Sequence, residues 1–151
     1  MYEILDKENM FSSIWDFPEN LLDALELGNN IKLNQEYGKI NSIVIAGMGG
    51  SAIGGDVVSI LEKENINIPF TVSRGYSIPN WVNENTLVIC SSYSGNTEET
   101  LSVLDEALNK NAIICGVTTG GILADVLKKN DKDIVIIPGG LQPRAALAFS
   151  F

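Results

Sequence analysis

Thr86-Leu87-Val88-Ile89-Cys90-Ser91-Ser92-Tyr93-Ser94-Gly95-Asn96-Thr97-Glu98-Glu99-Thr100 is the stretch whose reading decides the architecture. It opens on a continuous apolar run, as a strand covered on both faces requires. It then passes through hydroxyl residues and one glycine, and leads into a helical pattern from Leu101 to Leu108. A buried strand that empties into such a loop and feeds a helix is the repeating step of a parallel α/β sheet. The same step gathers hydroxyls and unpaired helix N-terminal N–H groups into one small volume. An anion, with phosphate the natural candidate, suits that volume.

The alternation extends in both directions. Upstream, Ile43–Ala46 reads as a strand, Gly47–Ser51 as a turn, and Ala52–Lys63 as a helix whose Gly54 and Gly55 imply close backbone packing. Pro69–Ser73 is a second strand, and Arg74–Asn85 a loop before the third strand, Thr86–Cys90. Downstream come a helix over Thr97–Lys110, a strand over Ala112–Val117, a helix over Gly121–Lys129 and a strand over Asp133–Ile137. Pro138-Gly139-Gly140 breaks that strand, and Pro143 is expected to start a last helix. Five strands alternating with helices predict an α/β, three-layer, doubly wound, five-stranded parallel sheet. Its ligand belongs beyond the carboxyl ends of the strands, where strand order reverses.

Residues 1–40 read as an N-terminal helical segment and 41–151 as the ligand-binding domain. Met1 to Tyr37 is expected to be helical, with Pro18 in a first turn, Asp16 or Phe17 at its cap, and a stripe of Leu21, Leu22, Leu25 and Ile31. The final Arg144-Ala145-Ala146-Leu147-Ala148-Phe149-Ser150-Phe151 is an apolar helical pattern without a cap. That leads to the expectation that the chain is a piece of a longer one. The alternative is an apolar end docked on its own domain or on a second copy.

With 151 residues, 45 % apolar and 19 % charged, the chain can bury one sizeable core. No apolar run approaches a membrane span, and the acidic start lacks the form of a signal peptide, so a cytoplasmic location with no membrane partner is expected. A net charge of −9 argues against nucleic acid as a partner. Cys90 and Cys115 lie in apolar runs and are expected to be free, buried thiols. With no histidine and no cysteine pair at ligand spacing, no metal site is expected. Arg74 and Arg144 are the only arginines, so an anion site must rest mainly on backbone amides and hydroxyls.

Three loops carry the chemistry. Gly47-Met48-Gly49-Gly50-Ser51-Ala52 fits the G-x-G-x-x-G/A pattern between strand and helix, although a tight turn alone also calls for glycine. A dinucleotide would want an acidic residue closing the second strand; here stand Ser73-Arg74, which leaves only NADP, its 2′-phosphate on Arg74, as an alternative. In the second loop Ser92, Ser94 and Thr97 each offer a hydroxyl, and Gly95 allows the turn. Helix capping by Asn96 or Thr97 accounts for one of these hydroxyls and not for the others. Glu98, Glu99 and Glu106 read as a solvated, dipole-favoured helix face. In the third loop Arg144 is expected in the first turn of the last helix, either facing the crevice or in a surface ion pair.

Gly47–Asp56, Ser92–Thr100 and Pro143–Leu147, taken in order, resemble the sugar isomerase (SIS) domains, and more closely the bifunctional phosphoglucose/phosphomannose isomerase family. The resemblance spans about residues 40–151 and implies a flavodoxin-like fold with no cofactor. It implies that the phosphate of glucose 6-phosphate, mannose 6-phosphate or fructose 6-phosphate is held by Gly49, Gly50 and Ser51 and by Ser92, Ser94 and Thr97. Arg144 matches the arginine that steadies the enediolate, and a homodimer is implied. Family members are about twice as long and carry their glutamate base and ring-opening histidine in a second domain. The implication is a substrate-binding half-enzyme, inactive alone, of glycolysis and gluconeogenesis. A phosphosugar sensor without catalysis is the alternative from another class.

Overall fold

The computed structural model describes residues 6, 7 and 9–150. Five strands form one sheet: β1 (Ser42–Ala46), β2 (Phe70–Ser73), β3 (Thr86–Ser91), β4 (Ile113–Thr118) and β5 (Asp133–Ile136). Every pairing is parallel and the order is β2-β1-β3-β4-β5. Strand order therefore reverses between β1 and β3, which are paired from Ser42↔Thr86 to Ala46↔Cys90. A crevice at their carboxyl ends follows from that reversal.

Helix α1 covers Met10–Trp15, α2 Phe17–Asn30, α3 Gly50–Leu61, α4 Glu98–Asn109 and α5 Gly121–Lys129. One sheet face, with Val44, Val88, Cys90 and Ile114 fully buried, packs under α4 and α5 through Val103, Leu104, Leu123 and Leu127. The other face is covered by α2, α3 and a 3-10 turn over Leu147–Ser150. Cover there is looser: a cavity of ≈ 350 Å³ lined by Ile43, Ile45, Ile89, Val117 and Phe149 lies beside α2.

Four sequence expectations are corrected. The helical reading of Met1–Tyr37 gives way to two helices ending at Asn30 and an irregular stretch up to Asn41. The Asp133 carboxylate captures that stretch, accepting the Asn34 and Gln35 backbone N–H groups at 2.9 and 3.0 Å and the Tyr37 hydroxyl at 2.9 Å. Met1–Leu5 and Glu8 of that reading lie outside the described residues. The expected stripe is also rotated: Leu22 and Leu25 point to solvent while Ala24 packs inward.

The last helix is replaced by a turn. The Gln142 carbonyl accepts both Ala145 and Ala146 N–H groups, and Phe149 N–H then bonds Ala146 at i→i+3 spacing, so the coil tightens to 3-10 geometry. Ala148 and Phe149 are buried, so the apolar end docks on its own domain; Phe151 lies outside the described residues. Glu106 is not a solvated face residue: its carboxylate accepts the Ile78 N–H at 2.9 Å and pins the Arg74–Asn85 loop to α4.

Both cysteines are free. Cys90 is buried and Cys115 only half-buried. Burial pushes both thiols up, Cys115 to about 11, despite the Tyr37 hydrogen bond that favours its thiolate. Burial, Cys115 and Asp133 likewise raise the Tyr37 hydroxyl.

Candidate functional site

The loops that leave β1, β3 and β5 meet beyond the strand ends. Met48, Gly49, Gly50, Ser51, Tyr93, Ser94, Thr97, Pro143 and Arg144 line one pocket of ≈ 300 Å³. Six of the seven site residues expected from the sequence thus share a wall. Ser92 does not: it is buried behind the pocket, its Oγ 2.8 Å from Thr97 Oγ1 and accepting the Gly95 N–H at 3.1 Å.

Two helices begin at this pocket, and neither N-terminus is capped by a side chain. At α3 the N-cap is Gly49, which has no side chain to offer, and the Gly50 and Ser51 N–H groups follow it. At α4 the N-cap is Thr97. Its backbone has cap geometry, but its hydroxyl turns to Ser92 and not to the first-turn amides. The capping reading of Thr97 therefore holds for its backbone and not for its side chain. Two sets of free N–H donors and two positive dipole ends border the same space, the arrangement that favours an anion.

Gly95 sets the shape of the second loop. It holds φ +68, and a β-carbon there would overlap the Gly120 carbonyl. Ser94 Oγ accepts the Asn96 N–H at 3.2 Å, and Asn96 Oδ1 accepts the Ile122 N–H at 3.1 Å, tying the loop to α5. The third loop touches the first, since a β-carbon at Gly50 would lie 3.2 Å from the Pro143 carbonyl oxygen.

Arg144 lies in the turn before the 3-10 segment, exposed on the pocket rim, not in a helical first turn. Among the described residues it makes no ion pair. The ion pair found is Arg74–Asp56, which occupies the arginine that an NADP 2′-phosphate would need. Glu98 and Glu99 stand in the first turn of α4, and the charge on Glu99 raises the nearby Tyr76 hydroxyl above its usual range. The sequence reading missed Tyr93. Its position between two hydroxyl residues is plain in the sequence, but the Leu141 N–H donating to its hydroxyl oxygen at 3.0 Å, from 48 residues away, is not.

Comparisons with known proteins give the family and the fold. The SIS domain family profile matches residues 36–139. A bifunctional phosphoglucose/phosphomannose isomerase of Caldicellulosiruptor bescii is 48 % identical over 142 residues, taking in 94 % of this chain and 42 % of that protein. Another, of Thermoplasma volcanium, is 40 % identical over 84 % of this chain and 40 % of its own length. The chain thus spans about two fifths of the length of these curated relatives. Among solved structures, the C-terminal domain of glucosamine-fructose-6-phosphate aminotransferase from Francisella tularensis superposes with a TM-score of 0.70. It is 19 % identical and the match covers 93 % of this chain and 45 % of that one.

Proposed function

The chain belongs to the SIS domain family, and on that premise we propose that it is the phosphosugar-binding N-terminal domain of a phosphoglucose/phosphomannose isomerase. The observation that carries the reading is the convergence of two side-chain-uncapped helix N-termini, the Ser94 and Thr97 hydroxyls and Arg144 on one pocket. The phosphate sits on the Gly49–Ser51 amides, the Ser51 hydroxyl and the start of α4. The sugar carbons then extend toward Arg144.

Isomerisation of glucose 6-phosphate or mannose 6-phosphate to fructose 6-phosphate moves a proton between C1 and C2 through an enediolate. It needs a base, an acid for ring opening, and a stabiliser of the developing oxyanion. Arg144 is fit for the last role: its guanidinium offers five N–H donors and is unpaired among the described residues. These 151 residues contain no histidine. The Glu106 carboxylate is engaged at Ile78, away from the pocket lining. The base and the ring-opening group are assigned to sequence outside these residues, so this chain alone binds substrate without turning it over. A cytoplasmic homodimer completes the proposal.

The test is a calorimetric titration of the purified chain with fructose 6-phosphate, competed by inorganic phosphate, beside an isomerase assay. Weak binding that phosphate displaces, with no turnover, is expected. Turnover of fructose 6-phosphate abolished by Arg144→Ala would overturn the division of labour. Absence of binding by both ligands would overturn the phosphosugar reading itself.

A further inference from the structure

We propose that Tyr93 is a positioning residue: its hydroxyl fixes the third loop at Leu141 and so sets Arg144 against the anion cradle. The inference rests on the phosphosugar reading of that pocket. Between Pro138 and Leu141 the loop runs through Gly139 and Gly140, two residues with little intrinsic stiffness. Among the described residues, the bond from Leu141 N–H to Tyr93 Oη, at 3.0 Å, is the one hydrogen bond that ties this segment to the rest of the molecule. Arg144 follows three residues later, after the turn at Gln142 and Pro143, whose carbonyl lies against Gly50.

Tyr93 is itself rigidly held. Its carbonyl accepts the Thr119 N–H at 3.1 Å and the Thr119 hydroxyl at 2.8 Å. Its ring packs in the cluster of Ile137, Ala146, Phe149 and Leu141. The chain neighbour Ser94 faces the pocket, so one short segment anchors a cradle hydroxyl on one side and the arginine loop on the other. Packing alone would be met by phenylalanine. The hydroxyl is what reaches the Leu141 amide.

A double-mutant cycle tests this, with 5-phosphoarabinonate, a carboxylate mimic of the enediolate, as the probe. Tyr93→Phe is expected to weaken its binding about fivefold, the worth of one net hydrogen bond, and to speed hydrogen exchange at the Leu141 amide. In an Arg144→Ala background the same change is expected to have no effect on affinity, because Tyr93 acts through the arginine. Equal losses in both backgrounds, or no loss in either, would overturn the positioning role while leaving the phosphosugar reading intact. Failure of the unsubstituted chain to bind the probe and inorganic phosphate would overturn that reading and this inference with it.

Discussion

The backbone of Ser150 crosses Gly54 so closely that a β-carbon at Gly54 would overlap the Ser150 carbonyl oxygen. Gly54 is in the middle of α3, where helix propensity alone would reward alanine by roughly 1 kcal/mol. Packing decides otherwise: the 3-10 turn would have to lift off α3, taking Phe149 out of its cluster. Gly54→Ala is expected to destabilise the chain by about 1–3 kcal/mol in urea unfolding. Gly28→Ala, in α2 with open space around it, is the contrast and is expected to stabilise by about 0.5–1 kcal/mol. Equal effects at the two positions would refute the packing account.

Asp133 gives the fold an acid-sensitive joint. Burial would raise its pKa, but the Gln35 and Asn34 backbone N–H groups, the Tyr37 hydroxyl and the Asn34 amide outweigh it and hold the carboxyl at about 2, against 3.8 for a free side chain. A depressed folded-state pKa contributes stability that is complete above 3.8 and is lost as pH falls toward 2. Equilibrium unfolding should therefore show stability falling between pH 4 and 2. Asp133→Asn should remove that portion of the pH dependence and cost about 2 kcal/mol at neutral pH. A variant whose acid limb overlays that of the unsubstituted chain would disprove the assignment.

What the sequence revealed depended on whether an interaction was local. Strands β1, β3 and β4 are continuous apolar runs bounded by glycine or hydroxyl residues, and the bounds of α5 coincide with those read from Gly121–Lys129. The pocket residues Gly49–Ser51, Ser94 and Thr97 were equally readable, because a strand-to-helix turn is specified within a few residues. Contacts across long separations were not. Nothing near Asn34 announces that Asp133 will capture it 99 residues on, so a helix was read through to Tyr37. Pro143 looks like a first-turn proline, yet the double use of the Gln142 carbonyl and the docking of Phe149 win over helix propagation. The hydrogen bond between the Ser92 and Thr97 hydroxyls is likewise absent from the loop sequence and set by the fold of the turn at Gly95.

Gly95 couples backbone conformation to the anion cradle. An alanine there must hold φ near +68 and also displace the Gly120 carbonyl, which leads into α5. Left-handed strain alone costs about 1–2 kcal/mol, and the steric clash adds to it. Gly95→Ala should lower the urea midpoint and abolish phosphate binding, whereas Gly75→Ala, in open space on another loop, should do neither. Retention of phosphate affinity by Gly95→Ala would show that the loop can reach its geometry by another route.

Thr97 separates capping from ligand binding. If its hydroxyl capped α4, Thr97→Val would cost about 1 kcal/mol in stability and leave an anion little affected. The hydroxyl is instead 2.8 Å from Ser92 Oγ on the pocket wall, while the first-turn amides of α4 stay without a side-chain acceptor. Valine therefore removes one donor to the anion and keeps the amides. A hydrogen bond to a charged group contributes about 1.5–3 kcal/mol, so phosphate affinity should fall at least about tenfold. Thr97→Ser should restore most of it. The readout is the rise in Tm that phosphate produces: a ligand at about a hundred times its Kd stabilises the folded state by about 2.7 kcal/mol. That rise should fall by about half or more in Thr97→Val at the same phosphate concentration, since a tenfold loss of affinity leaves about 1.4 kcal/mol. An undiminished rise would assign the anion to the backbone amides alone and reduce the Thr97 side chain to its bond with Ser92.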